Sequence, residues 1–456
     1  MPLKQYDQHQ ADLRDLLHEA LGKGSSQAVK KILDELHPAE IADTLEALPR
    51  ELRPRLWQSV PVKLKGEVLL EAHKEVRKQL IDNSDEEELL VALATLQMDE
   101  LADLDAQLPL SVVDAMVKAM DSQHRERYDA VRVYPDDTAG GLMDADAAAV
   151  RGDVSLKAVR RYMRRLRVRL GKLPEHLDSL MVVDRNNTYL GILRLSDIIS
   201  LESTTTVREV MKTDVAAIPV MTSANKVARL FEDQDLTSAA VVGETGRLLG
   251  RITIDDVVNV MRGEAEHEVM SRVGLTESTD MFAPIFRSAT RRAVWLGINM
   301  VTAFVAAWVI GLFDGSIEKI VALAVLMPVV ASMGGVAGNQ TLTLVTRGLA
   351  LEQVGKSNVR RLLWRELALG LLNGIFWALV VAVVAVLWFK DMHLGLIFGV
   401  ALILNLLTGA LAGTLVPMVL QRLGIDPALA GGVVLTTATD VVGFFSFLGL
   451  ATLFLL

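Results

Sequence analysis

Residues 426–440 read DPALAGGVVLTTATD and open an apolar run that continues to Leu456 with a single charge, Asp440, inside it. Asp426 suits a helix N-cap and Pro427 the first helical position. Asp440 then falls roughly 20 Å into the helix at about 1.5 Å per residue. A carboxylate that deep in a bilayer costs on the order of 2.5–3.5 kcal/mol even on the lenient insertion scale. An intramembrane Lys or Arg is the usual compensation, and no other long apolar run in the chain contains one. Asp440 is therefore protonated, in reach of water, or neutralised by a cation from solution, and an ion site or ion path is the favoured reading. Thr436, Thr437 and Thr439 set hydroxyl oxygens beside it.

Four more runs are long enough to cross a hydrocarbon core: 293–313, 321–346, 367–389 and 394–421. The chain has 456 residues, 47 Lys and Arg against 56 Asp and Glu, and most of these charges precede residue 293. That separation excludes a wholly soluble enzyme and a disordered chain. The absence of cysteine excludes thiolate zinc sites, iron–sulfur clusters and thiol nucleophiles. The acidic balance, a net charge of −9, argues against nucleic acid as a partner. MPLKQYDQHQ lacks the pattern of a cleaved signal, so a large domain is expected to precede the first span on the side of synthesis. Arg287, Arg291 and Arg292 before the first span, and Arg347, Lys356, Arg360, Arg361 and Arg365 between the second and third, predict a cytoplasmic N-terminus. Five spans then leave the C-terminus outside. So few helices leave little room for an aqueous path within one chain, and a homodimer in the cell membrane is the simplest remedy.

The second span reads MPVVASMGGVAGNQTLT from Met327, with Pro328, Gly334, Gly335 and Gly338 ahead of Asn339 and Gln340. Proline and glycine predict freed carbonyls that line a polar path; close helix packing is the alternative. The two amides favour the path. The membrane half holds one histidine, His393 in an outer loop, so the ligands on offer are oxygens. Oxygen sites suit hard cations, and few carboxylates suit Mg²⁺ best because it keeps most of its water. A monovalent cation or a proton stays open.

Residues 1–133 carry helical periodicity, and AEIADTLEALP (39–49) returns as DELADLDAQLP (99–109), the mark of stacked helical hairpins. After YPDDTAGGLM (134–143) come two β-containing units, 134–200 and 201–262, then a helical connection, 263–286, into the membrane domain, 287–456. Each unit places two strands around a turn before a helix: SLMVVDRNNTYLGILRLSDII from Ser179 and SAAVVGETGRLLGRITIDDVVNVM from Ser238. Asp99/Asp103 and Glu264/Glu268 set like charges one helical turn apart, an arrangement that a divalent cation would turn from unfavourable to favourable. Asp255 and Asp256 close the second β unit. The basic run RRYMRRLRVRLGK (160–172) reads as a solvated helix face, with a nucleotide-phosphate contact as the sharper alternative.

The paired β units resemble tandem CBS domains, modules that often bind adenine nucleotides such as ATP. Thr253 and Asp256 match their ribose-contacting pattern, whereas Arg194 replaces the hydroxyl residue ahead of Asp197. Over nearly its whole length the chain resembles the MgtE family of magnesium channels and transporters. YPDDTAGGLM, PVVASMGGVAGNQ (328–340), TRGLAL (346–351) and DPALAGGVVLTTATD carry that resemblance. It implies a multidomain fold: a helical N domain, α/β CBS domains, a plug helix and an all-α membrane domain of five helices, assembled as a homodimer. It further implies that Asp440 holds hydrated Mg²⁺ at the dimer interface, with Asp426 near the cytoplasmic mouth. Asp99, Asp103, Asp256, Glu264 and Glu268 would take regulatory Mg²⁺ that closes the pore. Val336, Asn259 and His267 depart from the family pattern at positions often polar or acidic. The competing readings are an ion-coupled secondary transporter and a membrane-anchored nucleotide or metal sensor. No Ser–His, HExxH or paired-aspartate pattern in the spans supports an intramembrane hydrolase.

Overall fold

The computed structural model describes residues 26–96, 98–170, 177–276, 279–351, 353–355 and 357–456, with the single positions 13, 16, 17 and 20. The chain divides into two compact units, one of residues 1–265 with 278–283, the other of 266–277 with 284–456.

The first unit begins with short helices from Ser26–Leu33 to Ser122–Arg132. Prolines at Pro38, Pro61 and Pro109 sit at or just inside helix starts, where a missing N–H costs nothing. His37 and Glu40 cap the helix Pro38–Ala47 reciprocally. The repeated positions do the same job in both copies: Ile41 and Leu101, and Leu48 and Leu108, are all buried. At the centre Arg53 is wholly buried and donates to the carbonyls of Leu45 and Leu48 and to Gln79. Its fork closes on Asp280, with both Nη–O distances 2.7 Å. Burial alone would raise the Asp280 carboxyl, but the hydrogen bonds from Arg53 and from the Phe282 N–H hold it below its ordinary value.

Two three-stranded sheets follow, β1 (Ala149–Arg151), β2 (Ser179–Val183), β3 (Tyr189–Arg194) and β4 (Ile218–Pro219), β5 (Ser238–Val242), β6 (Leu248–Thr253). In each, the first strand runs parallel to the second and the second antiparallel to the third. Asn187 and Gly246 take positive φ in the hairpin turns, as tight turns demand. YPDDTAGGLM knots onto the second sheet: the N–H groups of Ala139 and Gly140 donate to Thr222 and Val220, and Asp144 pairs with Arg251 through the backbone. A side chain at Gly140 would strike the Tyr134 ring, so glycine is needed there. The last helix of the region is Ile254–Ser271.

Among the described residues the second unit holds five helices long and apolar enough to cross a membrane: span one Ile285–Gly311, span two Ala322–Ala350, span three Val359–Phe389, span four Met392–Arg422 and span five Pro427–Leu455. Span four is the central one, with far more of its length buried than span one. Spans two and four meet through two small-residue pairs, Gly334/Gly338 and Gly409/Gly413. A Cβ added at Gly409 would lie 2.8 Å from the Gly334 carbonyl oxygen, and one at Gly413 2.7 Å from that of Gly338. Span two is one continuous helix through Pro328 and its glycines. Gly334 and Gly338 thus serve close packing and do not free carbonyls, which corrects the sequence expectation for those two positions.

Candidate functional site

Span five is built on a four-residue period. Gly431, Leu435, Thr439, Gly443, Phe447 and Ala451 form its buried stripe, packed inward because successive i,i+4 positions share one face. One column over lie Gly432, Thr436 and Asp440, all half-buried. Among the described residues Asp440 has no hydrogen-bond or ion-pair partner. The Thr436 hydroxyl donates to the Gly432 carbonyl at 2.9 Å and that of Thr437 to the Val433 carbonyl at 2.7 Å. Their protons are spent on the helix, and their remaining lone pairs can accept only from water or a cation. Thr439 is fully buried in the packing stripe and so is no part of an open path.

Gly335 faces this column: a Cβ added there would stand 4.0 Å from the Thr436 methyl. Gln340, five residues on, points roughly 140° away around the helix. It lines a separate cavity of about 180 Å³ with Thr341, Arg365, Glu366 and Asn373, beside Leu344 and Leu369. Asn339 and Val336 are exposed in this chain taken alone.

Glu366, absent from the sequence expectations, is a buried carboxylate in span three. It accepts from the Thr341 hydroxyl at 3.1 Å and from Arg365 Nη1 at 3.0 Å. Asn405 of span four was equally unforeseen; its side chain is fully buried and donates to the Val330 carbonyl at 2.7 Å.

Asp426 caps span five through the Ala428 N–H at 2.8 Å, as its position before Pro427 suggested. Its other oxygen lies 3.2 Å from Nε2 of His267 on the helix Ile254–Ser271. Glu268 pairs with Arg272 one turn on, at 2.5 Å, while Glu264 is exposed.

In the first unit Asp103, Asp105, Asp136, Arg132 and Tyr134 share a recess of about 260 Å³. Surrounding protein that withholds water, then the like charge of Asp136, push the Asp103 carboxyl up to about 6, with Arg77 opposing and Asp256 and Glu100 adding. Asp256 is also pushed up to about 6, by burial first and by Asp255 next. Asp256 Oδ2 accepts from the Thr253 N–H at 3.2 Å and from its hydroxyl at 3.0 Å. The two residues read as a ribose contact are thus bonded to each other. Asp197 sits in the first turn of the helix Leu195–Ser200. Asp99 falls in the helix Met98–Asp105, but its side chain lies outside the described residues. Among the described residues no group of three or more His, Cys, Asp or Glu is placed to hold a metal ion. Asp440 with the Thr436 and Thr437 oxygens offers a single carboxylate, which suits a hydrated cation, since Mg²⁺ is commonly held through one or two carboxylates and its own waters.

Comparison with known proteins adds the following. Residues 327–450 match the MgtE divalent cation transporter family, 36–137 the MgtE intracellular N domain, and 139–203 and 207–263 the CBS domain. The chain is 31% identical over 448 residues to the magnesium transporter MgtE of Thermus thermophilus, covering 96% of this chain and 98% of that protein. It is 26% identical over 435 residues to the magnesium transporter MgtE of Bacillus subtilis, covering 95% and 96%. A solved structure described as the cytosolic domain of the Mg²⁺ channel MgtE in complex with ATP is similar at 31% identity and a TM-score of 0.49. It covers 54% of this chain and 99% of that one.

Proposed function

The chain belongs to the MgtE family of magnesium transporters, and from that premise we propose that it takes up Mg²⁺ through a homodimeric channel that cytosolic Mg²⁺ closes. One observation carries the reading: Asp440 stands half-buried and, among the described residues, without a protein partner, one column from the packing stripe of span five. Of the three outcomes open to such a carboxylate in a membrane, a cation from solution is the one that the family's magnesium transport favours. Two copies facing each other across a dimer axis would share one ion. Mg²⁺ sheds water reluctantly, so the aspartates would hold it through its hydration shell, with Thr436 and Thr437 accepting from the same waters.

Closure follows from charge. Asp103 and Asp136 crowd one recess, and Asp256 adds to the negative field there. Mg²⁺ binding to such faces would favour whichever arrangement brings them together, by mass action. Asp99, Asp255, Glu264 and Glu268 are further acidic residues that would take Mg²⁺. At the foot of span five His267 replaces the acidic residue that the family pattern leads one to expect. A direct imidazole–Asp426 contact then does the pinning that a shared ion would do elsewhere. An adenine nucleotide in the second β unit would have to share or displace the Thr253–Asp256 contact.

The test is Mg²⁺ uptake in a strain that depends on external Mg²⁺. Asp440→Ala, inserted in the membrane at wild-type level, is expected to lose uptake. Undiminished uptake would remove Asp440 from the path and the proposal with it. Current recordings from the purified dimer distinguish a channel from an ion-coupled transporter.

A further inference from the structure

Three of the five spans meet at one side chain. The Asn405 amide of span four lies between Gly334 of span two and Gly443 of span five. A Cβ added at Gly334 would stand 2.3 Å from Nδ2, and one added at Gly443 2.6 Å from the same atom. Both are closer than real Cβ atoms come, so a side chain at either glycine would have to displace the amide between them. Nδ2 donates to the Val330 carbonyl at 2.7 Å, whereas Oδ1, fully enclosed, has no hydrogen-bond partner among the described residues. A buried acceptor left so lowers stability, and an apolar side chain of the same size would avoid that cost.

The position of the junction supplies the reason to keep an amide there. Gly443 follows Asp440 by three residues, less than one helical turn, on a neighbouring column of span five. Gly334 directly precedes Gly335, which faces Thr436 in the Asp440 column. Asn405 therefore spaces the two helices that frame the candidate ion position, from behind, without itself lying in that column. Its hydrogen bond to the Val330 carbonyl holds the amide against span two, so it acts as a spacer between spans two and five beside their direct contacts, such as Gly338 against Leu435.

We propose that Asn405 is the positioning residue of the ion path: wedged between Gly334 and Gly443, it sets the width available to a hydrated cation beside Asp440 and thereby the preference for Mg²⁺ over larger divalent ions. This rests on the reading of Asp440 as the ion-holding group and adds to it the group that governs selection.

The experiment uses the full-length protein in proteoliposomes and compares Mg²⁺ and Ca²⁺ flux in wild type, Asn405→Leu, Asn405→Thr, Gly443→Ala and Asp440→Ala. Asn405→Leu removes the tether at similar size; Asn405→Thr keeps a hydroxyl donor in a smaller side chain. Gly443→Ala adds one methyl behind an intact Asn405 and yields a readout even if the Leu variant is not recovered. Expected is a change of roughly tenfold in the Mg²⁺:Ca²⁺ flux ratio for Asn405→Leu and Gly443→Ala, well within what a misplacement of about 1 Å can cost a preorganised site. Asn405→Thr is expected to shift the ratio less. A ratio equal to that of wild type in both larger changes overturns the proposal, whether or not total flux falls, because a merely structural residue would lower both fluxes together. Asp440→Ala reads separately on the underlying assignment: it is expected to remove both fluxes, and retained flux there would sink the ion path while leaving the ratio test interpretable.

Discussion

Spans three and five each carry a carboxylate, and the two are treated oppositely. Glu366 is buried, but the Thr341 hydroxyl and Arg365 answer it. Asp440 is half-buried, and among the described residues nothing answers it. A carboxylate with protein partners holds helices together. One without them is left for a partner that arrives from solution. The first unit repeats the contrast: Asp280 is gripped by Arg53, whereas at Asp103 the like charge of Asp136 outweighs Arg77. Unanswered carboxylates are therefore the ones expected to matter for ions, and answered ones for stability.

The largest effect should fall on Asp440. Even Asp440→Asn, which keeps the shape and a half-share of the acceptors, is expected to cut Mg²⁺ uptake to background while melting temperature in detergent holds. Uptake by the Asn variant near wild type would place Asp440 with the structural carboxylates.

Next comes Asp280→Ala, which strands the wholly buried Arg53 guanidinium. Breaking such a pair costs about 3–5 kcal/mol, so denaturant unfolding of the first unit should show a loss of that size. A loss below about 1 kcal/mol, as for an exposed pair, would contradict the role given to it.

Glu366→Leu should weaken the membrane unit less, by about 1–3 kcal/mol, the penalty for leaving the buried Thr341 hydroxyl unsatisfied. Because Arg365 is largely exposed, Glu366→Gln should cost about 1 kcal/mol or less. Half-saturating Mg²⁺ for uptake should stay put in both. A clear shift in that value would move Glu366 into the ion's company and erase the contrast drawn above.

The smallest effect concerns pH. The Asp103 and Asp256 carboxyls are raised from 3.8 to about 6. The folded unit therefore holds more protons than the unfolded chain between those values. Their contribution favours folding below 3.8 and is lost as pH rises through about 6. Mg²⁺ should replace those protons, so thermal stabilisation by Mg²⁺ is expected to be full at neutral pH and to shrink as pH falls through about 6. Asp103→Asn should flatten that dependence. An unchanged profile would separate Asp103 from Mg²⁺ binding.

The five spans were legible because long apolar runs have few other uses, and the two β units because their strands alternate with turns that require Asn187 and Gly246. Span three nevertheless begins at Val359, ahead of the apolar run at 367. Its first turns carry Arg360, Arg361, Arg365 and Glu366, which the membrane boundary tolerates but which hydropathy alone places outside the span. That is why Glu366 was missed. Asn405 escaped for a different reason: an uncharged amide in an apolar run changes hydropathy little, and its meaning lies in two glycines from other helices. Gly334 and Gly338 likewise show that composition alone does not separate tight packing from an opened backbone. Thr436, Thr437 and Thr439 look alike in sequence; only the buried stripe tells which one faces inward.

The most direct test is to locate the ion. Crystals of the full-length protein grown with Mn²⁺ in place of Mg²⁺ allow the metal to be found by its anomalous scattering. A hydrated ion beside Asp440 should give a peak about 4–5 Å from its carboxylate oxygens, one metal–water bond plus one hydrogen bond away. A membrane domain with no peak near Asp440, and that side chain packed against lipid or dry protein, would contradict the account.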